Sequence, residues 1–279
     1  DETWEDRVPL VGRELNVLLH KGIYRGEAFL DWMRAHLEKK GITRFGQLTI
    51  PDAEDPEQRY RLRVIASDVT HRRMLVLPND AHYLGLEADD LEIAEAVRMS
   101  MSIPIFFEPV LHENKLAGTK HLIVDGGMLS NFPVWLFDRK WREPRWPTFG
   151  LMLVEPDPHA PLGSRLPRDE DAADPSSLLD YVKSLAHTMM EAHDRLYLDK
   201  ATFARTIPIP TLGVGTTEFD ITPTRAQALY ESGRQAASHF LDQWDFEAYV
   251  QEFRRGKELP SRREELTAAL RATGPAPPR

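Results

Sequence analysis

The chain has 279 residues, a formal charge of −9, 42% apolar residues and no cysteine. The acidic surplus argues against a nucleic-acid partner, because phosphate binding needs Lys and Arg gathered on one face. Disulfides, thiolate metal sites and cysteine nucleophiles are excluded, and apolar runs as short as Ile103 to Phe107 and Phe149 to Val154 fall far below the roughly 18 residues of a membrane-spanning helix.

The first residues, Asp1-Glu2-Thr3-Trp4, lack a Met and are not followed by a basic and then apolar leader, so the start reads as a cut edge. From Gly26 to Lys39, Phe29, Leu30, Met33 and Leu37 recur at the spacing of one helical stripe, and Gly41 ends it. Tyr60 to Ala66 alternates and then becomes a β-branched apolar run, which predicts a strand. A second strand is expected at Met74 to Leu77, with Thr70 to Arg73 as a short hairpin connection. Asp68 follows the first strand and would share a sheet edge with Asp125 if their strands are parallel; its expected role is a hydrogen bond to loop backbone.

Asp89 to Met101 carries Ile93, Ala96, Val97 and Met101 at helical spacing, and Pro104 forces an exit at or before Ile103. The helix then empties into Ile105-Phe106-Phe107. His121 to Val124 is a short apolar strand ending at Asp125-Gly126-Gly127, and Phe149 to Val154 is another. Uninterrupted apolar runs of this kind suit a sheet covered on both faces. Ser177 to Lys200 reads as a long helix and Thr206 to Pro210 as an extended segment. Pro223 to Trp244 reads as a second long helix, with Thr222 as N-cap and Pro223 at the first helical position. Strands alternating with helices predict an α/β layered fold, and one domain is expected over 1–253 before a charged, Pro-rich tail over 254–279.

Asp125-Gly126-Gly127 is the most informative element, because in α/β sheets ligands bind at the carboxyl ends of strands. The two glycines allow a tight turn with positive φ, or a close backbone approach, so that the carboxylate faces a pocket uncovered. An isolated Asp-Gly-Gly is, by itself, mainly a surface-turn signal.

Its context is Ser100-Met101-Ser102-Ile103-Pro104, then Phe106-Phe107-Glu108-Pro109-Val110, Val124-Asp125-Gly126-Gly127 and Asn131-Phe132-Pro133-Val134. In order and spacing this series resembles the patatin-like phospholipase family. Gly26 with its helix, Ala66-Ser67-Asp68 and the segment Gly213 to Asp220 are also similar to bacterial members, so the resemblance runs to about residue 245. It implies a three-layer α/β/α fold, incomplete at the N-terminus, and a lipid acyl hydrolase that uses a Ser-Asp dyad without a cofactor or metal. Asp125 would be the dyad acid, supported by Gly126, Gly127 and Asn131. The implied partner is a lipid or phospholipid ester, with peripheral membrane contact compatible with that substrate.

The family also uses a Gly-x-Ser-x-Gly elbow and an N-terminal Gly-rich loop. Neither occurs here, since no serine of the chain has glycine at both flanking positions. In the family both motifs precede the matching region, so the expectation is a fragment that carries the aspartate alone and is inactive by itself. A non-catalytic relative that binds lipid or protein is the alternative.

The remaining candidates have plainer readings. Ser100 and Ser102, without an elbow, read as structural hydroxyls that cap local backbone. His187, Glu191 and Asp194 share a helical face, which more often means a solvated surface than a metal site. Asn131 fits the cap of a helix starting at Pro133 and would position the Asp125 loop rather than touch substrate.

Overall fold

The computed structural model describes residues 21–154, except 54, 131, 140 and 141, and residues 200–256, except 216, 217 and 219. The expected helix Ser177 to Lys200, with its trio His187, Glu191 and Asp194, therefore lies outside the described residues apart from Lys200, as does nearly all of the tail. Among the described residues no helix is long and apolar enough to cross a membrane. The chain divides into two compact units, Asp1–Pro133 with Ala173–Tyr197, and Val134–Ala172 with Leu198–Arg279. The fold class is mixed α/β, with parallel and antiparallel strand pairs.

In the first unit, β1 (Gly22–Tyr24) leads into α1 (Glu27–Lys39), whose stripe Phe29, Leu30, Met33 and Leu37 is half-buried as the spacing predicts. A hairpin follows, β2 (Val64–Asp68) and β3 (Arg73–Leu77). The first of these strands starts later than its alternation suggested, because Tyr60 forms only an isolated bridge to Thr49. Helix α2 (Ile93–Ser100) also begins later than expected. Asp89 lies ahead of it, where its carboxylate accepts from Tyr60 Oη at 2.5 Å and Arg59 at 2.6 Å, and its carbonyl accepts from Gly46 N–H.

Next come β4 (Ile105–Phe107), β5 (Val110–Asn114), β6 (Thr119–Asp125) and a single helical turn, α3 (Gly127–Ser130). β1 and β4 pair in parallel. β3, β2, β6 and β5 form a four-stranded sheet in that order, antiparallel at every step. Val64, Ile65 and Ala66 of β2 are buried, as the apolar run predicts, and so are Ser67 and Asp68 beyond it. The core packs α2 against this sheet through Ile93, Ala96 and Met99 on the helix and Ala66, Leu75 and Ile123 on the strands. Taking a large apolar side chain out of water into such a core is worth about 1.5–3 kcal/mol, which is why the one-sided helix stripe orients α2.

In the second unit a 3₁₀ turn occupies Val134–Phe137 where a helix from Pro133 was expected. Two strands, β7 (Gly150–Val154) and β8 (Thr206–Pro210), pair in parallel, with the short α4 (Lys200–Phe203) just ahead of β8. The expectation of full cover does not hold for β7: Gly150 and Val154 are buried, but Leu151 and Leu153 are 64% and 70% exposed. Helix α5 (Pro223–Gln243) is capped by Thr222, whose Oγ1 accepts from Arg225 N–H, with Pro223 at its first turn as predicted. It packs on β8, where Ser232 Oγ donates to the Pro210 carbonyl at 2.9 Å. After α6 (Phe246–Tyr249), Arg254 and Arg205 both reach Asp138, the latter through two bonds of 2.5 and 2.6 Å. A planar guanidinium fork on a carboxylate makes two parallel charge-assisted bonds, and with Arg254 it joins the residue after the 3₁₀ turn to the start of β8 and to the segment after α6.

Candidate active site

Asp125 is the last residue of β6 and stands opposite Ala66 in the register with β2. It is anchored from both sides of the backbone. Its N–H donates to the Ser102 carbonyl at 2.9 Å, and the Gly126 N–H donates to the Ser100 carbonyl at 3.3 Å. The helix exit that the sequence placed before Pro104 thus holds the strand end that carries the carboxylate.

The carboxylate accepts from the Gly127 N–H at 2.6 Å through Oδ1. Burial pushes its pKa up to about 6, against a smaller lowering by that hydrogen bond. A carboxylate titrating near neutrality both takes and returns a proton at little cost, which is the property general acid–base chemistry needs.

Neither glycine of the motif adopts positive φ. That part of the expectation is corrected, and the alternative, a close backbone approach, holds for Gly126. A Cβ there would sit 2.2 Å from the Ile65 carbonyl oxygen and 2.6 Å from its carbon. Gly127 is buried and opens α3, where its N–H is the donor to Asp125. Asn131 lies outside the described residues.

Ser102 is fully buried, its hydroxyl donating to the Arg98 carbonyl at 2.7 Å and accepting from Arg98 Nη1 at 2.5 Å. It has the backbone-capping role that its position suggested. Arg98, which no sequence motif marks, is 6% exposed. Its Nη2 donates to the carbonyls of Arg25 and, at 2.9 Å, Glu108, so one guanidinium joins the start of α1, the end of α2 and the exit of β4. Burial lowers the Arg98 pKa, opposed by Glu108 and Glu27. An Arg inside an apolar helix stripe was the available signal. Gly26 makes room for it, since a Cβ there would fall 2.4 Å from Arg98 Nε.

Asp68 does not share an edge with Asp125 in the way parallel strands would give. β2 and β6 are antiparallel, Asp68 pairs with Ile123, and the two carboxylates lie at opposite ends of the paired stretch. Asp68 is fully buried, and its Oδ1 accepts from the His71 N–H at 3.2 Å, the loop-backbone bond that was expected. Its Oδ2 meets two imidazoles as well, His71 Nδ1 at 2.8 Å and His121 Nδ1 at 2.9 Å. Neither histidine belongs to a motif named above. The Asp-x-x-His spacing across a hairpin turn was the signal that could have found His71, while His121, 53 residues from Asp68, had no local signal.

Asp125, at a strand end on Asp-Gly-Gly and braced by the Ser100–Ser102 exit of α2, is therefore the centre of the candidate site. The patatin-like phospholipase family model matches residues 2–138, and the chain belongs to that family. It is 35% identical over 225 residues to the uncharacterized protein YqhO of Bacillus subtilis (strain 168), covering 81% of this chain and 69% of that protein. It is 30% identical over 173 residues to the uncharacterized protein R571 of Acanthamoeba polyphaga mimivirus, covering 62% of this chain and 51% of that protein.

Proposed function

We propose that this chain carries the acid half of a lipid acyl hydrolase, with Asp125 as the base of a Ser-Asp dyad and a lipid or phospholipid ester as substrate. The observation that carries the reading is the pKa of about 6 at a strand-end carboxylate whose position is fixed through two backbone bonds from the Ser100–Ser102 segment. In the proposed step the serine proton passes to Asp125 while Oγ adds to the ester carbonyl. The protonated aspartic acid then returns that proton to the departing alcohol, and water repeats the sequence on the acyl-serine. Gly127 holds Asp125 by its N–H and steers the carboxylate rather than touching substrate. Contact with a membrane surface, which an ester embedded in lipid would require, is part of the same reading.

The 279 residues contain no Gly-x-Ser-x-Gly, so a base is present without the nucleophile it would activate. That absence favours a second reading, a patatin-like domain that binds lipid or protein without turnover. The gene upstream of Asp1 separates the two, since an elbow encoded there supports the dyad. For the 279-residue chain alone we expect no p-nitrophenyl ester hydrolysis above a denatured control. Turnover abolished by a serine-directed phosphonate would overturn the assignment and move the nucleophile to Ser100, since the Ser102 hydroxyl is buried and engaged.

A further inference from the structure

We propose that Asp68, His71 and His121 form a binding site for a divalent transition-metal cation, with Zn²⁺ as its best-matched occupant. One carboxylate oxygen and two imidazole nitrogens converge: Asp68 Oδ2 lies 2.8 Å from His71 Nδ1 and 2.9 Å from His121 Nδ1, and the ligand atoms of the three residues fall within 4.8 Å of one another. Ligands about 2.0–2.1 Å from one ion, at roughly right angles to tetrahedral angles, are about 2.9–3.4 Å apart, so the two Asp–His edges need to open by only tenths of an ångström. Two histidines and a carboxylate are a donor set for Zn²⁺ with an open fourth position, and also for other first-row divalent ions.

The surroundings supply the outer contacts that a metal site needs. A histidine that ligates through Nδ1 carries its proton on Nε2, and that N–H requires an acceptor. The Thr119 hydroxyl stands 3.0 Å from His121 Nε2, and a hydroxyl can either donate or accept, so it serves both tautomers. Asp68 is oriented by the His71 N–H on its other oxygen. The hairpin turn that carries His71 is stitched to β6 by Val69 N–H on the Leu122 carbonyl and by Leu122 N–H on Thr70 Oγ1, both 2.9 Å. Entry is through His71, whose side chain is 27% exposed while those of Asp68 and His121 are 0% and 3% exposed.

His121 is four residues before Asp125 on β6, which puts the site about 13 Å along the strand from the dyad acid. A cation there would not touch the same ester. It would clamp the β2–β3 turn onto β6, and its role is stabilisation of the sheet that carries Asp125. The inference is independent of the hydrolase reading.

The test uses the full chain, stripped with a chelator, titrated with Zn²⁺ by calorimetry and with Co²⁺ by visible absorption. Expected are one saturable equivalent of Zn²⁺, ligand-field bands for Co²⁺, and a melting temperature that rises with Zn²⁺ and falls back on chelation. His71→Ala, at the exposed ligand, should weaken binding at least 100-fold, Thr119→Val about 10-fold, and His82→Ala, on an exposed histidine elsewhere in the unit, not at all. In wild-type protein, imidazole nitrogen NMR should show both Nδ1 resonances shifting on Zn²⁺ addition, a readout that does not depend on any variant folding. No saturable binding, binding that survives His71→Ala, or unmoved Nδ1 resonances would overturn the proposal.

Discussion

The Asp125 N–H and the Ser102 carbonyl meet at 2.9 Å, so the proposed dyad acid is positioned by the exit of a helix and not by its own strand alone. Ser102 is in turn fixed by Arg98, whose guanidinium also binds the carbonyls of Arg25 and Glu108. A buried cation surrounded by carbonyls and a hydroxyl therefore supports the carboxylate at one remove.

Arg98→Lys should show how much that support is worth. An ammonium keeps the charge but cannot span three separate acceptors as a planar fork can. Each hydrogen bond to a charged group contributes about 1.5–3 kcal/mol, so loss of one or two predicts a destabilisation of about 1.5–6 kcal/mol, read as a lower urea midpoint with an unchanged slope. A midpoint equal to wild type would show that the fork is dispensable.

Gly126 and Gly118 should respond to alanine for different reasons. At Gly126 the new Cβ meets the Ile65 carbonyl, a backbone group that cannot rotate away, and overpacking of this kind costs about 1–3 kcal/mol or more. Gly118 has open space around it but a φ of +67°, so its cost is the strain of the left-handed region, about 1 kcal/mol. Thermal melts of the two variants should rank Gly126→Ala well below Gly118→Ala.

The raised pKa of Asp125 has a consequence for stability. Between the ordinary value of 3.8 and about 6 the folded state holds a proton that the unfolded chain has lost. Its stabilising contribution is therefore complete below the lower value and is lost as pH rises through the upper one. Two pH units correspond to about 2–3 kcal/mol at most. Asp125→Asn cannot ionise, so its stability at pH 7 should exceed that of wild type by up to about this amount, while the two should converge near pH 4. Urea melts at both pH values check the difference.

What the sequence made legible follows from periodicity. The stripe of α1 and the Thr222-Pro223 start of α5 depend on neighbours in the chain and formed where their patterns placed them, and the apolar end of the predicted strand became β2, although the strand starts at Val64 rather than Tyr60. Strand direction does not depend on neighbours. The antiparallel pairing of β2 with β6, which separates Asp68 from Asp125, comes from contacts between segments more than fifty residues apart. The same is true of His121, which reaches the Asp68 carboxylate only through that pairing, whereas His71 lies three residues from Asp68 across the hairpin turn. At Gly126, sequence signalled that a side chain was unwelcome, but the reason, a carbonyl 2.2 Å from the missing Cβ, is a tertiary fact.

The remaining prediction concerns catalysis and requires a chain that includes a Gly-x-Ser-x-Gly elbow upstream of these residues. In that chain Asp125→Asn should lower kcat for a phospholipid or p-nitrophenyl ester by about 10²- to 10⁴-fold, the usual cost of losing a general base. The amide nearly matches the carboxylate in shape and its oxygen can still accept from Gly127 N–H, but it cannot take up the serine proton. Wild-type activity should rise with pH through about 6, as the carboxylate loses its proton, and level off above it. The residual activity of Asp125→Asn should lack that rise. Asp68→Asn should act differently, because it disturbs a buried pair of imidazole contacts: the melting temperature should fall while the pH midpoint of activity stays in place. Near wild-type kcat in Asp125→Asn, or a pH midpoint that moves with Asp68→Asn and not with Asp125→Asn, would remove Asp125 from the dyad.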